Sequence, residues 1–199
     1  MDGRELKAKA REQLKPVFWI MIGCALVLSI IYYLIDNAKN PLVYFIFLFV
    51  YCPLLMGFNW MTLDLADGKE VKFAQLVDGF NDYGRVIVFE IVNTLLLVGW
   101  TLLFIIPGII KMYSYIMAPY IMKDNPEMSG LDAISESRAM MAGHKADLFF
   151  IHLSFFGWII LSIVTFGIVG LYTTPYTSVT VANFYRMLKS REEVVHIEL

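Results

Sequence analysis

Five long windows of this chain are nearly free of charge: 17–35, 41–63, 85–106, 146–166 and 168–185. Each approaches or exceeds the ~20 residues that carry a helix across ~30 Å of hydrocarbon. Buried helices of a soluble protein would show polar faces over such lengths, and these windows do not. A further apolar run follows Pro107-Gly108, from Gly108 to Met122, with Pro119 in its interior. At ~1.5 Å per residue it reaches only about 22 Å. It must therefore extend toward Asp124 or meet a thinned bilayer. The pattern predicts spans over Val17–Ile35, Pro41–Leu63, Arg85–Ile106, Gly108–Met122, Ala146–Phe166 and Ile168–Tyr185. Interior prolines are tolerated there where neighbours satisfy the freed carbonyls.

Amphipathic stretches separate these runs. In 4–15, Leu6, Ala10 and Leu14 form a narrow apolar line among charged residues, and Pro16 opens the first span. In 71–82, Phe73, Leu76, Val77 and Phe80 fit an amphipathic helix, with Lys72, Gln75 and Asp78 off that face. In 130–142, Ser129 with Asp132 resembles a capping box, and Gly143 supplies the stop. A helical wheel gathers Leu131, Ile134, Met141 and Ala142 on one side, with Arg138 in the same arc.

Amphipathic helix, outbound span, tight turn and returning span with a mid-helix proline thus recur three times. The prolines follow small residues, in Cys52-Pro53, Ala118-Pro119 and Thr174-Pro175. The expected fold is an all-α integral membrane protein of six transmembrane helices arranged as three antiparallel hairpins, each preceded by a cytoplasmic amphipathic helix. It forms a single membrane domain over 1–199, with repeat units of roughly 1–63, 64–123 and 124–190 and a short cytoplasmic tail at 186–199. The proline spacings are irregular, so the alternative, that bilayers impose like patterns on unrelated hairpins, stays open.

Composition agrees with membrane insertion: 58% of residues are hydrophobic and 17% charged, against roughly 25% charged in average globular proteins. A net charge of −2 without a basic patch argues against a nucleic-acid partner. Of the 16 lysines and arginines, all but Lys39 and Lys111 fall on one side of the expected topology. Both termini are therefore expected in the cytoplasm. The first apolar run exceeds the h-region of a cleavable signal and is expected to stay attached. Cys24 and Cys52 lie inside spans without metal or redox spacing and read as packing residues.

Candidate chemistry centres on Glu90, inside the third span, with Asn93 and Thr94 on the following turn and Thr101 beyond. Ionisable groups cost about 2.5–3.5 kcal/mol at a span's centre on insertion scales, and face a partner or a cavity. Glu90 is read as an interfacial carboxylate paired with Arg85, Arg138 or a backbone donor, as a helix–helix hydrogen-bonding group, or as an ion or proton site. Asn59, His152, Ser154 and Asn183 are expected at comparable depths and would complete a polar cluster. Arg138 is expected to meet a lipid phosphate or a carboxylate. No enzyme signature, metal-ligand spacing or phosphate-binding loop occurs, so neither catalysis nor a cofactor nor a metal is expected.

The stretches IIPGIIKMYSYIMAPYIMKDNP, AISESRAMMAGHKADLFF and LSFFGWIIL, then Thr165-Phe166-Gly167-Ile168, Pro175-Tyr176 and Phe184-Tyr185, span residues 105–186. Over them the chain resembles domain-of-unknown-function family 975, uncharacterised bacterial multi-pass membrane proteins. The resemblance implies a bacterial cytoplasmic membrane location and supplies no activity or site residue. Two functions follow as expectations. One is a non-enzymatic binding or scaffold protein whose cytoplasmic amphipathic helices meet a protein partner, a lipid or the bilayer surface. The other is a small transporter, channel or lipid-translocating protein using the cluster around Glu90. The sequence leaves the oligomeric state open.

Overall fold

A computed structural model describes residues 3–197, and among these all regular structure is helical. The helices are α1 (Gly3–Leu14), α2 (Phe18–Asp36), α3 (Pro41–Ala66), α4 (Tyr83–Leu103), α5 (Ile105–Tyr115), α6 (Ala118–Asp124), α7 (Gly130–Met140), α8 (Lys145–Leu153), α9 (Phe156–Val164) and α10 (Ile168–Ile197). Two 3-10 segments, Lys15–Val17 and Phe73–Phe80, join them.

Five helical stretches are long and apolar enough to cross a bilayer: Gly3–Asp36, Pro41–Ala66, Tyr83–Leu103, Ile105–Asp124 and Lys145–Val164. They present large apolar side chains outward, including Leu26, Ile30, Phe45, Leu95, Leu102, Ile109 and Ile160. The first part of α10, expected as another span, carries Thr173, Thr174, Thr177, Ser178, Thr180 and Asn183 and is not among the five. Over the stretch 186–199, expected as a tail, α10 continues to Ile197; residues 198 and 199 lie outside the described range.

Several local expectations are corrected. Pro107-Gly108 is not the turn: the chain reverses at Phe104, which is extended (φ −160°, ψ 139°), and Pro107 sits in the first turn of α5. Gly108 serves a close crossing, since a Cβ there would lie 2.4 Å from Thr101 Oγ1. Span five is interrupted at Ser154 and Phe155 between α8 and α9. The following turn passes through Phe166 (φ 52°) and Gly167 (φ 88°). The prolines also differ in effect: Pro53 and Pro175 lie inside continuous helices, whereas Pro119 follows a break and starts α6.

The three segments expected to be amphipathic each pack on a longer helical stretch: α1 on α10, Phe73–Phe80 on α3, and α7 on α6. Leu6, Ala10 and Leu14 of α1 are buried, as the sequence pattern predicts, with α1 against α10. The 71–82 segment is not an α-helix but the 3-10 helix Phe73–Phe80. Its three-residue repeat stacks Phe73, Leu76 and Gly79 on one side. Leu76 and Gly79 are buried against α3, while Phe73, Val77 and Phe80 remain exposed. The approach is tight: a Cβ on Gly57 would meet Leu76 O at 2.2 Å, and one on Gly79 would meet Pro53 O at 2.0 Å.

The third segment, α7, packs on α6, α5 and α4 through Gly130, Ala133, Ile134, Ser137 and Met140. The expected face is half right: Ile134 and Met141 are buried, but Leu131, Ala142 and Arg138 are exposed. Ser137 enters the break between α5 and α6. Its hydroxyl accepts from Met117 N (3.1 Å) and donates to Ser114 O (2.8 Å), supplying partners that the interrupted helix lacks.

Candidate functional site: a polar cavity within the helical bundle

On α4, Glu90, Asn93 and Leu97 follow one another at helical spacing and face inward together. They line a cavity of ≈ 320 Å³ shared by α3, α4, α5, α6, α8 and α10. Asn59 from α3, His152 from α8, and Thr177 and Ser178 from α10 face the same space, with Phe89, Tyr115 and Tyr120 as aromatic wall. Glu90, Asn93 and His152 are thus brought together.

Glu90 does not pair with an arginine. Arg85 instead contacts Asp82 (2.6 Å) and the carbonyls of Met122, Asn125, Pro126 and Met128. No hydrogen bond or ion pair reaches Glu90 among the described residues, and Asn93 Oδ1 is buried without a partner. His152 Nδ1 lies 3.1 Å from Tyr113 Oη, which leaves its Nε2 for the cavity. Glu90 also borders a second groove of ≈ 290 Å³ between α3 and α4, walled by Tyr44, Cys52, Thr94 and Leu95. One carboxylate therefore faces both the bundle interior and a lateral, mostly apolar recess.

The remaining candidates lie elsewhere. Asn183 donates from Nδ2 to Gln13 Oε1 (2.7 Å) and to Val179 O (3.0 Å), joining α10 to α1. Arg138 makes no ion pair among the described residues. Ser154 accepts from Lys7 Nζ (2.9 Å), and Thr101 donates to Leu97 O (2.7 Å) at the α4–α5 crossing. No group of three or more metal-ligating side chains occurs among the described residues.

A charged cluster, which the sequence reading did not identify, ties α3, α6 and α10 together at one end. Arg186 bonds both oxygens of Asp67 (Nε at 2.5 Å, Nη2 at 2.6 Å), and also Asp124. Asp124 accepts in addition from Lys189 (2.6 Å) and Tyr185 (2.9 Å). Lys123 reaches Asp64 (2.5 Å) and Trp60 O (2.5 Å). Lys69 lies 3.2 Å from Asp64 and 3.3 Å from Asp67; its hydrogen bond to Asp64 holds its ammonium above the ordinary lysine pKa. The bidentate Arg186–Asp67 pair fixes angle as well as distance. A signal was present in the sequence: Asp64 and Asp67 follow Pro53 at the spacings with which Arg186 and Lys189 follow Pro175.

A family model described as "Protein of unknown function (DUF975)" matches residues 88–192. That range runs from within α4 to within α10 and contains Glu90, Asn93, Pro119, Asp124, His152 and Arg186. Nothing among curated proteins or solved structures matches the chain. Since the match covers more than half of its residues, the chain belongs to the DUF975 family.

Proposed function

We propose that this is a non-enzymatic membrane protein that binds, and lets pass, a small cationic group at the cavity around Glu90. The observation that carries the reading is an unpaired carboxylate beside an unpartnered Asn93 carbonyl in a space of ≈ 320 Å³. That is room for about ten waters at ~30 Å³ each. An intramembrane carboxylate without a protein cation is costly unless a guest or water completes it. The rings of Phe89, Tyr115 and Tyr120 suit an ammonium group, through cation–π attraction. The lateral groove at Glu90 adds a route for a lipid amine from the bilayer side, which makes lipid translocation a form of the same activity.

The proposed setting is the bacterial cytoplasmic membrane, crossed six times, α10 included, as three hairpins with both termini inside. Support for a threefold repeat comes from the closed order of packing. The segment before the second hairpin lies on the first returning helix, and the segment before the third on the second. α1, before the first hairpin, lies on the third returning helix, α10. Binding of a partner or the leaflet through the amphipathic segments is the second reading. It now rests chiefly on Phe73, Val77 and Phe80, because the apolar line of α1 is buried in the bundle and α7 exposes Leu131 as its large apolar side chain.

Proteoliposomes test the first reading. Full-length protein should accumulate methylammonium, or expose fluorescent phosphatidylethanolamine to external dithionite, faster than empty vesicles. Glu90→Gln and Asn93→Leu should return both rates to background. Rates equal to those of empty vesicles, or unchanged in the variants, overturn the proposal. In the same sealed vesicles, tags at the two termini should be cut or protected together; one cut and one protected would refute the six-span topology.

A further inference from the structure

We infer that the groove between α1, the α8–α9 break and α10 is a headgroup site for an anionic phospholipid. Four cations converge there. Arg4, Lys7 and Arg11 project from successive turns of α1, and Arg191 faces the same space from α10. The groove comprises two adjoining basins, of ≈ 470 and ≈ 250 Å³, which share Arg4, Lys7 and Ser154. The carboxylate on its lining is Asp147, already held by His144 at 3.1 Å. Against these four cations, the lining of the two basins carries one carboxylate, so its charge stays net positive.

The floor is aromatic. Lys7 Nζ stands 5.5 Å from the Phe155 ring and Arg11 lies 5.8 Å from that of Tyr176. Phe155 packs on Tyr176, Tyr176 on Tyr172, and Tyr172 on both Trp158 and Phe18. Trp158 and Tyr172 beside basic residues are what the headgroup level of a bilayer selects. Two further features favour a lipid over a soluble anion. α1 leads directly into the apolar α2, which places its basic face where a span enters the membrane. Outward-facing Phe156, Ile159 and Ile160 of α9 then offer a surface for acyl chains next to the groove. Basic recesses between helices at this level bind phosphorylated headgroups. The shared wall between two basins suits a lipid that carries two phosphates.

The full-length protein, stripped of lipid in neutral detergent, is mixed with phosphatidylcholine, phosphatidylglycerol or diphosphatidylglycerol, and retained lipid is read by native mass spectrometry. Anionic lipid should be retained and phosphatidylcholine lost. At about 1 kcal/mol for each basic residue near the surface, Lys7→Gln with Arg11→Gln should weaken retention about thirtyfold. Lys9→Gln with Lys15→Gln removes the same charge outside the groove and should leave retention unchanged. If the first pair does not fold, Arg4→Gln should weaken retention about fivefold. Equal loss in both pairs, full retention in the groove variants, or phosphatidylcholine held as well as anionic lipid overturns the inference. Inorganic phosphate bound while no anionic lipid is retained would overturn it too, by assigning the groove to a soluble ligand.

Discussion

Replacing Gly79 by alanine should unseat the 3-10 helix from α3. The added Cβ would lie 2.0 Å from Pro53 O, 2.8 Å from its carbonyl carbon and 3.1 Å from its Cα. Backbone atoms cannot swing away as a side chain can, so the two segments must separate by about an ångström. Overpacking of this kind costs about 1–3 kcal/mol, and the backbone-on-backbone contact argues for the upper half of that range. Gly99→Ala is the matched control. It lies inside α4 with nothing within 4 Å of the new Cβ, so it should gain about 0.5–1 kcal/mol from helix propensity alone. The two alanines should thus differ by roughly 2.5–4 kcal/mol. Reversible unfolding in mixed micelles, followed by tryptophan fluorescence, measures this difference. A Gly79→Ala protein as stable as the parent, with Gly57→Ala equally harmless, would refute the close seating of the 3-10 helix on α3.

Two other outcomes are expected. Ser137→Ala leaves Met117 N–H and Ser114 C=O buried without the hydroxyl that joins them. It should cost about 1–3 kcal/mol in the same unfolding assay; no loss would mean that the α5–α6 break satisfies itself. Under the partner-binding reading, Phe73→Ser with Phe80→Ser should abolish vesicle or partner capture without destabilising the bundle, because both side chains are exposed. Capture at the parental level would remove that reading.

The spans were legible because hydropathy sums over some twenty residues, and local irregularity averages out. What the sum conceals is how each proline is accommodated. Pro119 marks a helix break because Ser137, remote in sequence, supplies a hydroxyl to the loose ends. Pro53 stays within α3. The pattern of Phe73, Leu76, Val77 and Phe80 fits a 3-10 repeat as well as an α-helical one, and the approach of Gly79 to Pro53 accompanies the tighter form. Of the expected α7 face Ile134 and Met141 are buried, but its centre lies toward Gly130, Ala133 and Ser137, which contribute little apolar signal although smallness is what lets helices approach. Glu90, Asn93 and His152 stood out as polar residues in apolar runs, but their meeting depends on how α4 and α8 are placed. Asn183 shows the same limit in reverse, being turned away from the cavity by Gln13.

The packing of α1 on α10, with Arg186 bridging Asp67 and Asp124, bears on how the molecule is made. A ribosome delivers α1 well before Arg186 of α10. Until then the first helix lacks its partner surface, and both aspartates lack their principal counter-charge. Early helices can enter the membrane one after another, yet this part of their lateral assembly must wait for α10 to emerge. Contacts between the two ends of a chain are the slowest to close, since the whole intervening length must be gathered first. A product halted before Arg186 would carry an undocked α1 and two aspartates without that counter-charge. The C-terminal helix is in this sense the clasp of the bundle: its arrival separates an inserted chain from a folded one.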